Sequence, residues 1–98
     1  ADEPVILHRE DDRLRGAVLG DLDPTRPGRE AVTAGYTHRL TVLASAPGGW
    51  HPVFVHQDSD TLHHVAKGEF DGDPATAEIV AVGFSGNVTV LRLAGRPR

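Results

Sequence analysis

Gly68-Glu69-Phe70-Asp71-Gly72-Asp73-Pro74-Ala75-Thr76-Ala77-Glu78-Ile79-Val80-Ala81-Val82-Gly83-Phe84 decides the fold, because the chain has already spelled a version of it. Gly20-Asp21-Leu22-Asp23 and Glu30-Ala31-Val32-Thr33-Ala34-Gly35-Tyr36 stand 48 positions earlier and align with it without a gap. The same shift pairs Pro4 with Pro52, Val5 with Val53, His8 with His56, Asp12 with Asp60 and Leu14 with Leu62. It also sets Thr41-Val42-Leu43 on Thr89-Val90-Leu91 and Ala46 on Ala94. Fourteen of the fifty pairs made by this shift are identical. An internal period of this size belongs to propellers and solenoids. Residues 1–48 and 49–98 are accordingly the two repeat units.

Whole-chain composition narrows the field. Ninety-eight residues with 10 basic and 14 acidic side chains leave no polycationic footprint for nucleic acid or an anionic membrane. No apolar run approaches the roughly 20 residues of a membrane-spanning helix. Cysteine is absent, which removes disulfides and thiolate chemistry. Methionine is absent as well, even at position 1, so Ala1 is read as a processed or trimmed end rather than the genetic start.

Each unit reads as four short strands between turn signals. In the first unit these are residues 4–9, 14–22, 30–36 and 40–44. In the second they are 52–57, 62–70, 78–84 and 87–93. Pro24-Thr25-Arg26-Pro27-Gly28 and Ala46-Pro47-Gly48-Gly49 punctuate the chain, since proline and glycine clusters do not continue a central strand. Thr37-His38-Arg39 and Ser85-Gly86-Asn87 are hairpin links at matching places. No window carries a clean 3.6-residue apolar period, so the chain is expected to be all-β.

The third run of each unit predicts the packing. Ala31, Thr33 and Gly35 lie on one face, Val32, Ala34 and Tyr36 on the other, and the second unit repeats this with Ile79, Ala81 and Gly83 against Val80, Val82 and Phe84. Two apolar faces mean a strand covered from both sides, as in a sheet stacked between like sheets. Propeller blades around an axis have that geometry. A two-sheet sandwich is the competing architecture for eight strands.

Gly68-Glu69-Phe70-Asp71-Gly72-Asp73 followed by Glu78-Ile79-Val80-Ala81-Val82-Gly83 resembles the blade motif of FG-GAP and VCBS-type repeats. The resemblance covers both units. It implies an acidic loop after the innermost strand and blades that run from innermost to outermost strand. Residues 62–70 would then be innermost, 78–84 second, 87–93 third, and the segment after Trp50-His51 outermost. The chain departs from the pattern in two ways. Its loop is one residue longer before the closing Glu78, and Pro24 and Thr25 stand where a Gly and a third Asp are expected.

On that reading residues 4–9 form an outermost strand with no blade of their own ahead of them, and the chain stops short of the outermost strand after 87–93. One chain offers a complete blade, three strands of another and a spare strand. The fold class expected is two four-stranded β-propeller blades per chain, in a ring completed by oligomerisation with strand exchange. The partner is the chain itself, with no nucleic acid and no membrane. Two repeats per chain and the usual four to eight blades give six or eight blades, a homo-trimer or homo-tetramer, with the tetramer preferred.

Candidate chemistry is sparse. Glu69, Asp71 and Asp73, with Glu78, carry the hard oxygens that suit calcium, and Asp21, Asp23 and Glu30 are their first-unit counterparts. The same residues also serve as turn caps with no metal. Six histidines are present: His8, His38, His51, His56, His63 and His64. The adjacent His63-His64 would line a ring's channel and either hold a metal or anion there or stand solvated at its rim. Gly83-Phe84-Ser85-Gly86-Asn87 nears the nucleophile-elbow signature but lacks its last glycine, and it sits in a hairpin. Trp50 is suited to stack on a sugar or to pack between blades. No nucleophile–base pair or paired acid stands out. The function expected is therefore non-enzymatic: a self-assembling building block, with a calcium- or glycan-binding propeller module as the alternative.

Overall fold

The computed structural model describes residues 4–22, 28–68 and 77–93. Seven strands follow one another: β1 (Leu14–Gly20), β2 (Glu30–Gly35), β3 (Arg39–Ala46), β4 (Gly49–Gln57), β5 (Leu62–Gly68), β6 (Ala77–Gly83) and β7 (Val88–Leu93). They form two antiparallel meanders, a four-stranded sheet in the order β1-β2-β3-β4 and a three-stranded sheet in the order β5-β6-β7. The all-β expectation holds. The sheets change between Gln57 and Leu62, so the hydrogen-bonded units are offset from the 48-residue sequence units.

The second sheet copies the first in detail. β1 meets β2 with Gly16 opposite Ala34 and Val18 opposite Val32, and the register slips between Leu14 and Gly16. β5 meets β6 with His64 opposite Val82 and Ala66 opposite Val80, and slips between Leu62 and His64. Gly35 and Gly83 explain their own identity. A Cβ on either would overlap a carbonyl oxygen, that of Arg13 or Thr61, and come within 2.8 or 2.7 Å of the Cα of Leu14 or Leu62. That close approach lets the next residue reach back: the Tyr36 amide donates to the Arg13 carbonyl and the Phe84 amide to the Thr61 carbonyl, both at 2.8 Å. Each hairpin then closes with a left-handed residue, His38 at φ 67° and Gly86 at φ 82°. That is the turn-plus-αL link common in short hairpins.

The core lies between the sheets. Val32, Ala34, Leu40 and Val42 of the first sheet and Leu62, Ile79 and Ala81 of the second are buried together with Leu22. Val18, Phe54, Val65, Leu91 and Leu93 pack at its margin. At the first strands Gly16 faces Val65, and a Cβ there would come within 3.2 Å of the Val65 Cγ1. Each valine or leucine sealed here contributes about 1.5–3 kcal/mol.

Two expectations need correction. Residues 4–9 form no strand, and Val5 and Ile6 are 77% and 70% exposed. A strand exists only through a partner's ladder, and among the described residues nothing pairs with this run. Secondly, β2 is buried along its whole length, but β6 is not: Ile79 and Ala81 are covered while Val80 and Val82 are only half-buried. Among the described residues no sheet is stacked on the face of the second sheet that carries Val80 and Val82.

Candidate functional site

Of the expected calcium ligands, Glu69, Asp71 and Asp73 lie outside the described residues. Glu78 is the second residue of β6, opposite Gly68, and is fully buried, as its counterpart Glu30 is opposite Gly20. Glu30 shows what this position does. Its Oε1 accepts the backbone N–H of Leu22 at 2.8 Å, fixing the chain where it leaves β1. Among the described residues no three His, Asp or Glu side chains gather as a metal site.

The histidines scatter as well. His63 lies at the β5 register slip with its ring 4.2 Å from the Phe84 ring, while His64 is exposed. His51 and His56 stand on β4, and His38 closes a turn. Ser85 is a turn residue whose hydroxyl donates to the Asp58 carboxylate at 3.1 Å. Trp50 is half-buried on β4 opposite Ser45.

What the structure does bring together is a joint between successive sheets. At the end of β4 the Asp58 amide donates to the His38 carbonyl of its own sheet at 2.7 Å. Its carboxylate accepts from Ser85 in the hairpin of the next sheet. Two residues on, Asp60 accepts the Thr61 amide at 2.7 Å and turns the chain into β5. The first unit builds the same joint from Glu10. Its carboxylate accepts from Thr37 Oγ1 at 2.8 Å and from Arg39 at 3.2 Å, and pairs with His8. Asp12 accepts the Arg13 amide at 2.7 Å, as Asp60 does for Thr61. Burial alone would raise the Glu10 carboxyl, but the hydrogen bonds from His8, Thr37 and Arg39 outweigh it and hold it below the ordinary carboxylate value. Sequence reasoning missed these residues because the repeat keeps their chemistry and not their identity: Glu10 matches Asp58, and Thr37 matches Ser85.

Apolar surface is left open at several positions whose counterparts in the other repeat are sealed. Leu62 is 1% exposed under the first sheet, but its counterpart Leu14 is 43% exposed. Leu40 and Val42, which face the second sheet, are 0% and 3% exposed. Their counterparts on β7, Val88 and Val90, are 70% and 53% exposed. Phe84 and Leu19 add 68% and 60%. β7 is also a sheet edge, since it pairs with β6 and with no other described strand. No protein-family model, curated protein or solved structure matches the chain, so this surface and the repeat that generates it are what its function is read from.

Proposed function

We propose that this chain is a non-enzymatic building block that assembles with copies of itself. In this reading each sheet is a propeller blade, resembling those of FG-GAP and VCBS-type repeats, and several chains close a ring of six or eight blades. The run at residues 4–9 of one chain completes the three-stranded sheet of the next. One observation carries the reading: Leu40, Val42 and Leu62, which face the other sheet, are sealed, and their counterparts Val88, Val90 and Leu14 are open. The interface inside the chain is thus a template for an interface between chains. It joins unlike faces, head to tail, so it must close into a ring or run on as a fibre. Contiguous apolar surface beside an unpaired strand edge is what soluble monomers avoid.

The reading is tested by melting the chain over a wide concentration range. Assembly that stabilises the fold makes the midpoint rise with chain concentration. A midpoint independent of concentration, with a single 10.5 kDa species throughout, would remove the proposal.

A further inference from the structure

The edge of β7 has an internal template for what covers it. β4 lies on β3 with Leu40 opposite His56, Thr41 opposite Val55 and Val42 opposite Phe54. The register then shifts, and Leu43 stands opposite Pro52. Moving this pattern by 48 residues sets Val88 opposite His8, Thr89 opposite Leu7, Val90 opposite Ile6 and Leu91 opposite Pro4, with Val5 as the extra residue. The sequence meets the demands of that register. Pro4 falls at the irregular place that already tolerates Pro52, where a residue without an N–H breaks the ladder least. Ile6 falls beside Val90 on the face where Phe54 accompanies Val42 at the margin of the core.

The joint at the end of the run points the same way. Asp58 is tied by its amide to His38 of the sheet it leaves and by its carboxylate to Ser85 of the sheet it enters. Glu10 has the second tie, to Thr37 and Arg39. Its amide has no backbone partner among the described residues, and the carbonyl that matches His38 is that of Gly86. Gly86 already holds the left-handed turn geometry of His38.

Building on the self-assembly reading, we propose that the β7 edge and the Gly86 carbonyl form a receptor for residues 4–10 of a second copy, seated in this register with Glu10 as the joint. Ile6 leaves water on docking, as its match Phe54 packs at the margin of the core, and Val90 gains the neighbour that Phe54 gives Val42. The step from one copy to the next then repeats the step from the first sheet to the second, so every sheet-to-sheet interface has the same geometry. The register is selective: a slip of one residue turns Ile6 to the wrong face.

The chain contains no cysteine, so introduced pairs report cleanly. Ile6→Cys with Val90→Cys, and Leu7→Cys with Thr89→Cys, place thiols directly opposite one another, within reach of a disulfide. Leu7→Cys with Val90→Cys points them to opposite faces. Each double variant of the full chain is assembled, oxidised with oxidised glutathione, and read by non-reducing gel and by native mass. The two matched pairs are expected to link neighbouring chains while the particle mass stays unchanged, and the mismatched pair is expected to give no link. An assembled particle in which the matched pairs fail to link, link within one chain, or link no better than the mismatched pair overturns the register and leaves self-assembly standing. A chain that remains monomeric in all variants and in the unmodified protein removes self-assembly, and this receptor with it.

Discussion

Val88 and Val90 separate folding of the chain from its assembly. Both are largely exposed in the single chain, at 70% and 53%, so replacing them by Asp leaves the internal core untouched. Their counterparts Leu40 and Val42 are sealed at 0% and 3%. If assembly repeats the internal interface, Val88 and Val90 lose nearly all of that exposure. At about 2 kcal/mol for a fully buried valine, the two together contribute about 2.5 kcal/mol per interface. Losing it weakens association roughly 60-fold. Two aspartates in the same place add a desolvation penalty of several kcal/mol. The Val88→Asp/Val90→Asp double variant should therefore be monomeric at concentrations where the parent chain is fully assembled, by sedimentation velocity across a dilution series. Its far-ultraviolet circular dichroism should keep the β signature. A double variant that assembles with the parent's concentration dependence would refute the reasoning, because this face would then stay outside the interface.

Four further outcomes follow from particular contacts. Gly83→Ala drives a Cβ into the backbone of Thr61 and Leu62 and should destabilise the fold by about 1–3 kcal/mol, read as a lower thermal midpoint; an unchanged midpoint would contradict the close approach. Glu30→Ala removes the acceptor of the Leu22 amide and should lower stability by about 1–3 kcal/mol in urea unfolding. Deleting residues 1–9 should leave the β7 edge open and abolish the assembled mass in light scattering, whereas an unaltered mass would rule out any exchange of this segment. Glu10 gives a pH dependence with a fixed sign. Its carboxyl is held below the ordinary value, so its stabilisation is present above the unfolded pKa of about 4.3 and is lost as pH falls through the lower folded value. Glu10→Gln should flatten that part of the acid stability profile; a profile identical to the parent's would show that the anchor contributes nothing.

Much of the strand pattern was legible because turn chemistry and apolar runs are local signals. Expected runs at 30–36 and 62–70 became β2 at Glu30–Gly35 and β5 at Leu62–Gly68. β4 begins earlier than expected, at Gly49, because Pro47 and Gly48 suffice for the turn and Gly49 enters the strand at φ 124°. The run at 4–9 carries strand composition equal to that of 52–57, yet only the latter lies beside a ladder. Composition gives the capacity to pair, while the presence of an edge decides whether pairing occurs. The Glu10 and Asp58 joints were hidden for another reason. They depend on an acid and a hydroxyl 27 residues apart, and neither residue type is informative alone. The apolar third run of each unit signalled stacking on both sides. Among the described residues β2 is buried along its whole length while Val80 and Val82 of β6 are only half-buried, and each sheet has one other sheet to stack on.

Native mass spectrometry of the unmodified chain tests self-assembly most directly. Three or four copies of the 10.5 kDa chain give a single closed particle of about 32 or 42 kDa, matching the six or eight blades proposed, and this is the expected result. A uniform 10.5 kDa monomer at concentrations well above micromolar would contradict it.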